Sequence, residues 1–110
     1  MQNYLEVYKQ LGNKKKYRII RTLIEHKQLN VNSISDLLAI EQSSLSHILK
    51  ELYYAGMVTS KRKGKFIFYS ANEVYLKEAI NDLSSLLYPK NQMSGSLTED
   101  KLLKVFQEED

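Results

Sequence analysis

Apolar side chains recur along this chain at helical spacing, switch to a strand-like run, and then return to helical spacing. Tyr4, Leu5, Tyr8 and Leu11 fall at i, i+1, i+4 and i+7, the stripe of a short amphipathic helix, and Gly12 and Asn13 supply a stop and a new N-cap. Tyr17, Ile20 and Leu23, flanked by Ile19 and Ile24, make a second helix running to about Lys27. Val31, Ile34, Leu37 and Leu38 predict a third, short helix capped by Asn32 or Ser33. A connection of only Ala39 to Gln42 leads into Leu45, Ile48, Leu49 and Leu52, a fourth stripe at i, i+3, i+4 and i+7. Two short helices joined so tightly form a helix-turn-helix candidate.

The period changes at Gly56, where a left-handed residue is expected to end the fourth helix. Met57 to Arg62 and Lys65 to Ser70 are β-rich runs around Lys63 and Gly64, a hairpin with glycine at the second turn position. Phe66 and Phe68 lie on one strand face and Ile67 and Tyr69 on the other, so the hairpin is expected to pack on the domain. Helical spacing returns with Leu76, Ile80, Leu83 and Leu87 and ends at Pro89. Residues 90–97 read as a linker, and residues 98–110 as a short helix or tail in which Thr98 is the cap. The expected architecture is mainly α with a small β-hairpin: a winged helix-turn-helix over residues 1–89, with helices flanking a two-stranded wing.

At 110 residues, 43% hydrophobic and 26% charged, the chain fits one domain with a modest core. Neither a membrane span nor a signal peptide is visible, so the expected location is the cytoplasm. The absence of cysteine removes disulfides, thiolate metal sites and thiol nucleophiles. The net charge of +3 conceals an asymmetry: residues 1–70 hold 12 Lys/Arg against 5 Asp/Glu, while residues 71–110 hold 4 against 8. The basic portion is the candidate face for a polyanion. Lys14, Lys15 and Lys16 open the second helix, where the dipole disfavours cations, so an anion is their expected partner.

Opposite the apolar stripe of the fourth helix stand Ser43, Ser46, His47 and Lys50, with Gln42 at the entrance. Solvated helix faces ordinarily use strong helix formers, and serine is a mediocre one. Short donors and acceptors at the start of a second helix suit base edges and phosphates in a major groove. Lys61, Arg62, Lys63 and Lys65 crowd around the hairpin turn, where a phosphate backbone would relieve their repulsion. Catalysis has no comparable support. The chain has no glycine-rich phosphate loop, and Ser46 and His47, adjacent on a helix, point about 100° apart.

The run from Val31 through Leu45, Ser46, His47, Ile48 and Leu49 to Gly56, Met57 and Val58, then Lys63, Gly64, Lys65, Phe68, Tyr69 and Ser70, resembles the ArsR/SmtB winged-helix repressors of bacteria. The resemblance covers about residues 5–88. Its most specific element is Ser46-His47-Ile48-Leu49 with the turn Ala55-Gly56-Met57-Val58, similar to the family's recognition-helix signature. It implies a homodimer joined through the first and last helices, here Tyr4, Leu5, Tyr8, Leu11, Leu76, Ile80, Leu83 and Leu87. It also implies an inverted-repeat operator read by Gln42, Ser43, Ser46 and His47, with Lys50 one turn further toward the backbone and the wing on backbone or minor groove.

The departures from the family pattern concern metals. The position of its thiolate ligand is Asn30, and its Asp-x-His pair and later histidines correspond to Glu73, Tyr75, Leu86 and Pro89. His26 and His47 have no partners at ligand spacing, and His26 reads as a helix-end residue. No metal or cofactor is expected. The reading is a sequence-specific, homodimeric transcriptional repressor of double-stranded DNA that is not a classical metal sensor and is not an enzyme. Its signal would be a small organic molecule, a protein partner, or none at all with occupancy set by its own concentration, and residues 90–110 are one place for a partner to act. The competing class is a winged-helix module for protein or RNA partners.

Overall fold

The computed structural model describes residues 3–88, so the linker and the helix expected after Thr98 lie outside the described residues. The order is α1 (Leu5–Leu11), α2 (Lys14–His26), β1 (Leu29–Asn30), α3 (Val31–Leu38), α4 (Gln42–Tyr54), β2 (Val58–Lys63), β3 (Phe66–Ala71) and α5 (Glu73–Ser84). The chain divides into two units within α5, after Ala79. No described helix is long and apolar enough to cross a membrane.

In the first unit, asparagine side chains cap the starts of α2, α3 and α5. Asn13 Oδ1 accepts from the Lys16 amide at 3.1 Å, as its place in the sequence predicts. For α3 the cap is Asn30, whose Oδ1 accepts from the Ser33 amide at 2.9 Å, two or three residues before the expected Asn32 or Ser33. The expected caps instead lie inside the first turn, because the helix begins at Val31. At the end of α4, Gly56 adopts φ +79°, and the Met57 amide donates to Leu52 O at 3.0 Å. A side chain there would also press on the Tyr75 ring, with Cβ 3.3 Å from it. Asn72 locks this corner: Nδ2 donates to Gly56 O at 2.9 Å and Oδ1 accepts from the Tyr75 amide at 3.3 Å, capping α5.

The core is drawn from every helix of this unit. Val7, Ile19, Leu23, Ile34, Leu45, Leu49, Leu52 and Met57 have no exposed surface. In α1 the centre of the buried face is Val7, with Gln10 beside it, rather than the tyrosine-leucine stripe. Tyr4, Tyr8 and Leu11 pack at its edges and Leu5 faces out. In α2 the buried arc is Ile19, Ile20 and Leu23, while Tyr17 and Ile24 share an exposed edge about 100° away.

The wing differs from expectation in two ways. The sheet has three strands in the order β1-β3-β2, because Leu29 and Asn30 pair antiparallel with Tyr69 and Phe68. A two-residue strand carries no readable period. It is reached through a γ-like turn at Lys27, φ 70°, whose neighbour Gln28 donates its amide to His26 O at 2.8 Å. Second, Lys63 pairs with Phe66, so the loop is Gly64-Lys65 and glycine occupies its first position, at φ +63°. A positive φ at that position belongs to a II′-type turn and matches the twist of the strands. The base of the hairpin packs on the core through Val58, Tyr69 and Ala71, whereas Phe66 and Ile67 near the tip are exposed.

In the second unit, Ile80 to Ser84 complete α5, which stops short of the expected Leu87. Ser85 Oγ donates to Asp82 O at 2.6 Å, and the Leu87 and Tyr88 amides both donate to Ser84 O at 3.0 Å. Serines at 84 and 85, poor helix formers, end the helix in a turn before Pro89 is reached.

Candidate nucleic-acid interface

The angle between α3 and α4 is set by three residues, Ala39 to Glu41. Ala39 takes a left-handed conformation at φ 54°, Ser35 Oγ donates to Ile40 O at 2.6 Å, and the Ile40 side chain is buried. This pins the turn from inside. Behind it, Leu45, Leu49 and Leu52 anchor one side of α4 wholly in the core. The opposite side therefore has to present Ser43, Ser46, His47 and Lys50, with Gln42 at the entrance of the helix, and all five are exposed. Gln42 Nε2 donates to Asn32 Oδ1 of α3 at 2.7 Å, and Ser43 Oγ donates to Glu41 Oε1 at 2.8 Å.

Ser46 lies between two open grooves of about 280 Å³ each. One is shared with Lys50, Tyr53, Ser60 and Tyr69, the other with Asn32, Lys65, Ile67 and Tyr69. The outward face of α4 and the inner side of the wing thus meet in a concave surface that is part polar and part apolar, with Val31, Phe66, Ile67 and Tyr69 among its lining.

A charged group that the residue pattern did not single out braces this surface. Glu51 Oε2 is 3.0 Å from Lys16 Nζ of α2, and Glu51 Oε1 is 3.2 Å from His47 Nε2. The Lys16 hydrogen bond, more than its charge or that of His47, holds the Glu51 carboxyl below the ordinary glutamate range, against partial desolvation. The anion expected to explain the lysine run is, for Lys16, this internal carboxylate. The His47–Glu51 spacing of i, i+4 was readable, but the Lys16–Glu51 contact spans 35 residues and leaves no local signal.

In the wing, Lys61, Arg62, Lys63 and Lys65 are all exposed, and three of them are held. Lys63 Nζ donates to Gln28 Oε1 at 2.6 Å and lies 5.3 Å from the Phe68 ring centre. Lys65 Nζ lies 5.6 Å from the ring centre of Phe66, and Arg62 Nε donates to Gly64 O at 3.2 Å.

The residues expected at a dimer interface fall into two kinds. Leu76 is core within the chain, and Tyr4, Tyr8 and Leu11 are half-buried, with Tyr8 Oη donating to Ala79 O at 2.7 Å. Leu5 is 67% exposed, Ile80 60%, Leu83 48% and Leu87 69%. Among the described residues no three His, Cys, Asp or Glu side chains are grouped as metal ligands.

Comparison with known proteins places this geometry. Residues 13–60 match the family model described as "Bacterial regulatory protein, arsR family". The transcriptional repressor SdpR of Bacillus subtilis is 31% identical over 75 residues, which cover 68% of this chain and 82% of SdpR. This chain belongs to the arsR family. A putative arsenical resistance operon repressor of Halobacterium salinarum is 42% identical over 57 residues, and there the match covers 51% of this chain and 44% of the relative. Among solved structures, the transcriptional repressor PagR of Bacillus anthracis superposes with a TM-score of 0.60 at 29% identity, over 71% of this chain and 88% of PagR. As an arsR-family member the protein is a DNA-binding transcriptional regulator of winged helix-turn-helix form. The family match runs from the cap of α2 to the start of β2, so it contains α3 and α4 whole and stops before the tip of the wing.

Proposed function

We propose that the protein is a homodimeric repressor that binds an inverted-repeat operator. In this reading α4 lies in the major groove. Gln42, Ser43, Ser46 and His47 meet base edges and phosphates, Lys50 reaches toward the backbone, and Lys61, Arg62, Lys63 and Lys65 of the wing meet backbone or minor groove. One observation carries it: α4 is fixed by three wholly buried leucines, and its outward face holds short polar side chains beside a cationic wing. Names of relatives support repression, since SdpR and PagR are both described as transcriptional repressors. The exposed Leu5, Ile80, Leu83 and Leu87 support self-association, because large apolar side chains left in water favour a partner surface. The lack of cysteine, and of grouped ligands among the described residues, supports a signal other than a thiolate-bound metal. We assign residues 1–89 to the DNA-binding and dimerising domain, and leave the effector or partner protein to residues 90–110 or to the body.

The test is selection of bound duplexes from a random DNA pool at moderate salt. Enrichment of an inverted repeat with half-sites about one helical turn apart is expected. No enrichment, with affinity insensitive to salt, would overturn the reading and turn attention to RNA or protein partners. A monomer in sedimentation at micromolar concentration would remove the homodimer.

A further inference from the structure

Polar side chains from two elements converge on the groove between α4 and the wing. On the helix side, Tyr53 and Tyr54 stand three and four residues beyond Lys50, so they prolong the outward stripe of Ser46 and Lys50 by one turn. On the sheet side, Ser60 of β2 and Tyr69 of β3 are register partners, and their side chains share one sheet face. All six residues line one open groove of about 280 Å³. None of them is acidic, and among the described residues no side-chain hydroxyl of the five, nor the Lys50 ammonium, has a hydrogen-bond or ion-pair partner. Neighbouring polar groups are otherwise committed, Gln42 to Asn32, Ser43 to Glu41 and Lys63 to Gln28. Tyr53 is 48% exposed, and its ring is steadied edge-on by Tyr54 at 5.8 Å between centres. Hydroxyl donors and one cation, with no carboxylate among them, suit an anion with more than one oxygen to share.

We infer that this groove seats a phosphate of the DNA backbone, with Tyr53 Oη and Ser60 Oγ donating to its oxygens from opposite walls and Lys50 supplying the charge. The inference rests on the proposed placement of α4 in the major groove. A duplex separates each major groove from the adjoining minor groove by one line of phosphates. With α4 on one side of that line and the wing at or beyond it, the backbone passes between the two elements, where the groove lies. Hydroxyls suit the place because a phosphate contact fixes register and depth without preferring a base. Tyr53 and Ser60 would thus be positioning residues for the reading done by Ser46 and its neighbours.

The test uses the full chain and the selected operator. Tyr53→Phe and Ser60→Ala should each weaken binding about tenfold per half-site, the lower end for a hydrogen bond to a charged group. The factor should be the same on operators carrying single base changes. Neither variant should change the slope of log affinity against log salt, because a hydroxyl releases no counterion. Tyr53→Phe keeps the ring and Ser60 is exposed, so both variants should unfold in denaturant with the unsubstituted chain. A single methylphosphonate, which replaces one charged oxygen by a methyl group, is then stepped along both strands of one half-site. At one phosphate, or at two adjacent ones, it should cost each variant about threefold less or better than it costs the unsubstituted chain. A Tyr53→Phe protein that binds as tightly as the unsubstituted chain would place that hydroxyl in water and overturn the inference while leaving operator binding intact. So would coupling of Tyr53 and Ser60 to separate stretches of backbone, or a loss that varies with the base pair. Failure to enrich any operator would overturn the DNA reading and this inference with it.

Discussion

The two arms of the concave surface are built on opposite plans. Helix α4, proposed to read the base edges, is held from behind by Leu45, Leu49 and Leu52, none of which has exposed surface, and from the side by the Lys16–Glu51–His47 contacts. The wing tip has no such backing: from Thr59 to Ile67 every residue is exposed. Among the described residues its cations are steadied by Gln28 just before β1, by Gly64 O in the turn and by the rings of Phe66 and Phe68. A reader of base edges needs positions fixed to a fraction of an ångström, which a packed core supplies. A clamp on phosphates needs charge at roughly the right distance, and a strand pair in water supplies that. The division teaches that sequence preference should reside in α4 and salt dependence in the wing.

The strongest way to break that contrast is through stability. Leu49→Ala should cost about 2–5 kcal/mol in denaturant unfolding, because a wholly buried leucine leaves a cavity. Phe66→Ala at the tip should fall within about 0.5–1 kcal/mol of the unsubstituted protein, since that ring is 41% exposed. Comparable losses at the two sites would show that the wing is as deeply tied to the fold as the helix.

Next comes recognition itself. Ser46→Ala should lose about 1–3 kcal/mol for the operator while largely sparing random duplex, as read by titration against both. Ser46 is the sharpest probe because it stands between the two grooves and no neighbouring element covers it. Equal losses on every sequence would make it a backbone contact and move discrimination elsewhere.

What the residue pattern revealed divides along the same line. Helix spacing, the Gly56 stop and the polar face of α4 are local signals, and the structure holds each of them, although α3 is capped two or three residues early and α5 ends three residues before Leu87. The features that escaped depend on partners far along the chain. β1 is two residues long and exists only because β3 lies beside it, and Glu51 looks like an ordinary helix residue until Lys16 arrives from 35 positions away. The hairpin turn sits one residue from its expected place because Lys-Gly and Gly-Lys both put glycine in a two-residue loop, and strand pairing decides between them. Burial in α1 departs from the pattern for a related reason: Val7 is smaller than its tyrosine neighbours, yet it occupies the centre of the face that meets the core.

On the wing, Lys63→Ala should reduce the slope of log affinity against log salt by about one unit, as expected when the protein neutralises one phosphate fewer. The effect at a single salt concentration is modest, so the slope is the quantity to measure. Lys63 is a demanding choice, because its ammonium already has Gln28 Oε1 at 2.6 Å and a ring at 5.3 Å. Those partners are neutral and leave its full charge for a phosphate. An unchanged slope would mean that the side chain stays on Gln28 and that neighbouring Lys61, Arg62 or Lys65 carries the clamp.

The smallest effect concerns what braces the helix, and its sign follows from the carboxylate. Glu51 binds its proton less tightly in the folded protein than in the unfolded chain, chiefly because Lys16 hydrogen-bonds to it. Folding therefore favours the ionised form. That contribution is fully present above the unfolded glutamate range, about pH 4.3, and is lost as pH falls through the lower folded value. Lys16→Met keeps most of the buried stem and removes the charge. The gap in unfolding midpoint between the two proteins should be open at pH 7 and close on acidification. A gap that persists unchanged into acid would assign the role of Lys16 to the packing of its stem, which is largely covered at 16% exposure, and would leave Glu51 and His47 to hold each other.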